Sequence, residues 1–208
     1  MNYLKEFNYY WHGKERLIQE FMANDIKKIR IASAYFSKYG LNLLKKIINK
    51  NSLYKNQVKI YISPDFSHKN PSKILKELVG IGQIYLVLNI PFHSKVYLFE
   101  KEKNNKLIFG SSNFTKGGIE NNIEFDFIKN IKEKELEKIK LFFDFCEGNS
   151  KFVDKEIINS YEEYDEEFKK INKLQYELKN KLFKYQNQND PFEETSYNLE
   201  AFYFKYED

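Results

Sequence analysis

The chain has one cysteine, four prolines, eight glycines and three histidines in 208 residues. A lone Cys146 excludes an internal disulfide and fits a reducing compartment. So few prolines and glycines leave little room for a low-complexity linker. No uninterrupted apolar run approaches the ~20 residues that cross a bilayer. The opening MNYLKEFNYYWHGKER has no basic stretch followed by an apolar one, so a signal peptide is not expected and a cytoplasmic location is. His12, His68 and Cys146 lack the spacing of metal ligands, and neither a metal site nor another cofactor is expected.

What is present is apolar and aromatic. Hydrophobic residues make up 42% of the chain and aromatics 17%, with 16 Tyr and 19 Phe. That is ample surface for a core and excludes wholesale disorder. Charge is divided unevenly. Residues 1–150 carry 25 Lys and Arg against 16 Asp and Glu, and residues 151–208 carry 9 against 14. A basic body with an acidic tail suits an anionic polymer as ligand.

Periodicity predicts a helix over 15–24, a strand over 29–36 and a helix over 41–50. A strand over 58–62 follows, then a helix after Pro71. Strands are expected at 84–89, 95–100, 106–109 and 125–128, and an amphipathic helix at 133–146, whose stripe holds Cys146 inside. Strands interleaved with helices indicate a layered α/β domain with a mixed, mostly parallel sheet over residues 1–150. Residues 151–208 are expected to form a separate helical, acidic extension. There Ile157, Tyr161, Tyr164, Phe168, Ile171, Gln175, Leu178 and Leu182 alternate spacings of four and three, a heptad-like seam. It fits a helix packed on its own domain, and equally one that associates with a second copy or a protein partner.

The chemistry lies in residues 93–124. His93-Ser94-Lys95 opens a strand, and Glu100 follows. Gly110-Ser111-Ser112-Asn113-Phe114-Thr115 comes next, with Asn122 and Glu124 closing the stretch. Period-2 geometry sets His93, Lys95, Tyr97 and Phe99 on one face, so imidazole and ammonium converge. An imidazole attacks phosphorus competently when a carboxylate fixes its tautomer, and Glu124 is the candidate for that. Lys95 supplies fixed positive charge, while Asn113 and Ser111 supply neutral donors to phosphoryl oxygens. Gly117-Gly118 is expected to be a plain turn, and Tyr35 to fill the core.

The pattern H-x-K-x4-[D/E] followed by G-S-x-N resembles that of the phospholipase D superfamily. The form HSKVYLFE…GSSNFT…NNIEF is similar to its single-motif nuclease branch, which includes restriction endonuclease-like members. The resemblance spans about residues 30–128. It implies a phospholipase D-like α/β/α fold and metal-independent cleavage through a phosphohistidine on His93. It also implies phosphate binding by Lys95, Ser111 and Asn113, and support of the histidine by Glu124. Glu100 stands where most members have Asp, which fits a structural role. The chain has one such motif, and neither His12 nor His68 begins another. A reaction that needs a second histidine as acid therefore calls for a homodimer. The expected activity is a DNA endonuclease of restriction or defence type. A lipid phosphodiesterase and an idle nucleic-acid-binding subunit are the alternatives.

Overall fold

In chain order the elements are β1 (Asn8–Trp11), α1 (Lys14–Phe21), β2 (Ile26–Ser33), α2 (Lys38–Asn51), β3 (Val58–Ile62), α3 (Pro71–Ile81), β4 (Gln83–Val87), β5 (Lys95–Lys101), β6 (Asn105–Gly110), β7 (Phe125–Ile131), α4 (Glu133–Gly148), β8 (Ser150–Phe152) and α5 (Lys155–Asn189). The structure, a computed structural model, describes residues 8–11, 14–67 and 69–189. His12, His68 and residues 190–208 lie outside the described residues.

The described strands form one eight-stranded sheet in the order β1-β7-β6-β5-β2-β3-β4-β8. β2, β3 and β4 are parallel neighbours, with α2 and α3 as their crossovers. The other pairings are antiparallel. The sheet is mixed, but the expectation that it is mostly parallel holds only for those three strands. No helix long enough for a crossover separates β5, β6 and β7, so the chain turns back on itself and meanders.

Pleat alternation divides the core into two layers. Ile29 and Ile31 of β2, and Tyr97 and Phe99 of β5, join α1, α2 and α3 in the larger cluster. Ala32 and Leu98, on the opposite faces of the same strands, join Leu136, Phe143 and Cys146 of α4 in the smaller one. Cys146 is buried as expected, and burial pushes its thiol up to about 11. The result is an α/β/α sandwich.

Two strands have no counterpart in the sequence reading. β1 and β8 are four and three residues long, too short for a period to declare itself. β8 pairs with β4, so the sheet runs past the boundary drawn at residue 150. The first turns of α5 dock on the body. Asp165 is buried and accepts from the Ser72 amide (3.2 Å) and hydroxyl (2.5 Å). Tyr161 donates its hydroxyl to the Pro64 carbonyl, and Ile157 packs against the larger cluster. Of the other seam positions, Tyr164 and Leu178 are exposed, and the side chains of Phe168, Ile171, Gln175 and Leu182 lie outside the described residues.

Candidate active site

Strand direction gathers the candidate residues at one end of the sheet. β2 ends there at Ser33; β5, antiparallel to it, begins there at Lys95. β6 ends there at Gly110 and β7 begins there at Phe125. β2 is also where the chain order reverses, with β3 and β4 on one side and β5 on the other. The carboxyl end of such a switch point is where open α/β sheets form their ligand crevices.

A row of residues crosses the sheet at this end. Ser33 of β2 pairs with Lys95 of β5, and Gly110 of β6 pairs with Asp126 of β7. Gly110 is needed for its missing side chain: a Cβ there would stand 2.3 Å from the Phe125 carbonyl and 2.4 Å from Asp126 Oδ1. Asp126 occupies the space so left and holds Ser112, two residues after Gly110. Its Oδ1 accepts from the Ser112 amide (3.2 Å), and its Oδ2 accepts from the Ser112 hydroxyl. The Ser112 carbonyl accepts from Tyr97 Oη (2.5 Å). Burial raises the Asp126 carboxyl above its usual range, opposed by the Ser112 bonds. Burial also raises the Tyr97 phenol, so it stays a donor.

Phe114 anchors the loop from below. It is fully buried, stacks on Phe36 at 5.1 Å and meets Phe21 at 5.4 Å and Tyr97 at 5.6 Å. Burying such a ring contributes about 1.5–3 kcal/mol. Its amide donates to Ser33 Oγ (2.9 Å), and its carbonyl accepts from the Ser37 amide (3.3 Å). Gly117–Asn121 forms a π-helical turn rather than a plain one, and Gly118 lies so near Asn113 that a Cβ would meet its carbonyl at 2.4 Å.

These supports fix the groups at the surface. Asn113 Oδ1 accepts from the Tyr35 amide (3.2 Å), which turns the NH2 of the same side chain away as a donor. His93 is exposed, and its ring nitrogens Nδ1 and Nε2 lie 2.8 and 3.1 Å from Lys95 Nζ. Lys95 also donates to the His93 carbonyl (3.1 Å) and is itself only 7% exposed. Burial lowers its affinity for a proton, and the negative charge of Glu124 raises it again. Tyr35 does not fill the core as expected. Its ring stands edge-on to His93 at 6.2 Å.

Within this chain Glu124 and Ser111 have partners other than those expected, while Glu100 takes the structural place expected of it. Glu124 accepts from the Ser111 hydroxyl and from Asn122 Nδ2 (3.2 Å), not from the imidazole of its own chain. The Ser111 oxygen also accepts from the Phe125 amide (2.9 Å). Ser111 thus positions Glu124, with its proton already given to that carboxylate. Glu100 lies away from the site. Five residues from Lys95 on a strand is an odd number, so it points through the pleat to the α4 side. There it pairs with Arg30 and, at 3.8 Å, with Lys140. Residues that periodicity had not flagged, Ser33, Ser112 and Asp126, prove to hold the loop. Asp126 in Phe-Asp-Phe-Ile was the available signal, a carboxylate alternating within a buried strand.

The arrangement offers an exposed imidazole, an adjacent shielded ammonium and an aimed amide donor. That set suits an anionic tetrahedral group whose charge grows during reaction. Among the described residues no three His, Cys, Asp or Glu side chains are grouped to hold a metal ion, and no helix is long and apolar enough to cross a membrane.

Comparison with known proteins bears on the fold. Residues 17–144 match the model of a family described as cardiolipin synthase, PLD-like domain. In structure the chain is similar to Nuc from Salmonella typhimurium, a phospholipase D family member, at 17% identity and a TM-score of 0.55, over 71% of this chain and 97% of that one. It is similar to NucT from Helicobacter pylori at 16% identity and a TM-score of 0.54, over 71% and 98%. Polyphosphate kinase from Porphyromonas gingivalis matches at 10% identity and a TM-score of 0.55, over 71% of this chain and 27% of that one. At such identities the likeness is one of fold. Compared by sequence with curated proteins, the chain matches none.

Proposed function

Since the chain belongs to the phospholipase D-like domain family, we propose that it is a phosphodiesterase that acts on DNA without a metal, as a homodimeric endonuclease of restriction or defence type. The observation that carries this reading is the exposed His93 ring beside the buried Lys95 ammonium, 2.8 Å from Nδ1, at the end of the sheet where β2 finishes and β5 begins. One imidazole nitrogen attacks phosphorus, and the bond to the leaving oxygen breaks. A second histidine, protonated, gives its proton to that oxygen. Water then attacks the phosphohistidine, the second ring takes a proton from that water, and the phosphorus–nitrogen bond breaks to free His93. Lys95 and the Asn113 amide hold the phosphoryl oxygens throughout.

The second histidine must come from a second copy, because the chain has one H-x-K motif. The rim beside Glu124 supports such a contact: Ile123 is 80% exposed and Phe125 45%, an apolar rim where a twofold partner would sit. An orienting carboxylate for each ring would then be Glu124 of the other copy. Along α5 the exposed Leu174 and Leu178 are the residues that contact with a further protein would use.

The test is incubation of the purified protein with single-stranded and duplex DNA in EDTA, at graded salt. Cleavage is expected, with a phosphorylated His93 peptide after acid-free quenching and loss of both in His93→Ala. Intact DNA from a protein that sediments as a dimer would sink the reading. The family description favours testing a lipid diester beside it; release of a head group from phosphatidylcholine micelles, with DNA untouched, would reassign the substrate.

A further inference from the structure

Beside the crevice lies an open cleft of about 430 Å³ at the carboxyl ends of β3 and β4, within the ~300–1,000 Å³ range of small-molecule pockets. Pro64, Ile90, Pro91 and Phe92 give it apolar walls, and Asp65 and Asn89 stand on its rim. Phe92 directly precedes His93, so the cleft opens next to the nucleophile. One backbone residue links the two places: the Ala34 carbonyl accepts from Ser63 Oγ (2.6 Å) in the cleft wall, and the Ala34 amide donates to the Ser94 carbonyl (2.9 Å).

The cleft is pre-formed. Tyr161 of α5 donates to the Pro64 carbonyl. The amides of Leu88 and Asn89 both donate to the Asn149 carbonyl at the end of α4, at 3.1 and 3.2 Å. Its charge is opposite in character to that of the crevice. None of its lining residues is basic, and Asp65 is exposed, so it repels the phosphate that Lys95 attracts. What enters must be an uncharged part of the substrate with a flat apolar body and hydrogen-bond donors on its edge.

We propose that this cleft receives an unstacked nucleobase adjoining the scissile phosphate, and that Asp65 selects guanine there. Guanine presents N1–H and the N2 amino group side by side, two donors for the two oxygens of one carboxylate. Phe92 and the prolines supply the surface on which the base rests. A base is free to enter only when splayed out of the stack, so the preferred substrate is single-stranded. The inference rests on the phosphodiesterase reading and names the substrate of that same site.

The experiment measures cleavage of single-stranded oligothymidine carrying one central guanine, or one central inosine, which keeps N1–H and lacks the amino group. Bis(p-nitrophenyl) phosphate, a diester with no base, is assayed in parallel. Wild-type protein is expected to cut beside guanine at least tenfold faster than beside inosine. In Asp65→Asn that ratio should fall to about one, and guanine-strand cleavage relative to the baseless diester should drop at least tenfold. Equal guanine and inosine rates in the wild type, or an unchanged ratio in Asp65→Asn, overturn the pocket. The inosine comparison needs no mutant and so does not depend on how any variant folds. If the baseless diester is cut while strands show no base preference, only the pocket fails. If neither is cut, the phosphodiesterase reading fails with it.

Discussion

The two faces of β5 carry carboxylate networks of different kinds. On the face toward α1 and α2, Lys95 lies in a row with Asp126, which is buried and bonded to the hydroxyl and amide of Ser112. On the face toward α4, Glu100 meets two cations, Arg30 and Lys140, on neighbouring elements. The first network holds a surface loop at the crevice and shapes where Asn113 stands. The second ties β2, β5 and α4 together, far from the ring of His93. A single spaced motif therefore holds both chemistry and scaffold, because the pleat sends residues an odd number apart to opposite sides.

Substitutions on the two faces should separate accordingly. The largest effect is expected from His93→Ala, which removes the proposed nucleophile from an exposed position. kcat should fall by about 10⁴-fold or more, with the thermal midpoint unchanged in a melting scan. Asp126→Ala comes next. It strands the buried Ser112 amide and hydroxyl, which should reduce stability by about 2–4 kcal/mol in urea titration, and kcat should fall with it as the 111–114 loop loosens. Glu100→Gln should reduce stability by about 1–3 kcal/mol, since Arg30 keeps only part of its partner. Its kcat per folded molecule should equal the wild type's. A Glu100→Gln enzyme that folds normally and turns over as poorly as His93→Ala would erase the division between the faces.

How much of this was legible in the sequence follows from range. The helices α2, α3 and α4 and the central strands declare themselves because their periods repeat over enough residues, as Leu41, Leu44, Ile47 and Ile48 do in α2. His93, Lys95 and Asn113 stand out as candidates because their spacing is local and chemical. Strand direction is only partly legible: β5, β6 and β7 have the same apolar pattern whether parallel or antiparallel, and only the short connection from Lys101 to Asn105 betrays an antiparallel pair, while β6 and β7 are far enough apart in sequence for either direction. The role of Ser111 was missed for a related reason. A hydroxyl beside a glycine looks like a free donor until the neighbouring strand brings Glu124 against it. Tyr35 reads as a core residue because a ring at the end of a buried strand usually packs there. Only the 111–115 loop, folded back across the end of β5, shows that its amide holds Asn113.

The smallest effect, and the one that tests the electrostatics of the first face, is a shift in pH dependence. In the proposed mechanism Lys95 must be charged to hold phosphoryl oxygens. Burial pushes it below the 10.5 of an ordinary lysine, and the Glu124 carboxylate pulls it back up. Activity should therefore fall on an alkaline limb below 10.5, where the ammonium gives up its proton. Glu124→Gln keeps an oxygen to accept from Ser111 and removes the charge alone. With less to favour the ammonium, Lys95 deprotonates earlier and the limb of kcat/KM moves to lower pH. Glu100→Gln, on the opposite side of the strand, should leave the limb where it stands. A limb that stays fixed in Glu124→Gln, or moves upward, would mean that Glu124 does not sustain the charge on Lys95. The carboxylate would then act through Ser111 and through the imidazole of the other copy, not through Lys95.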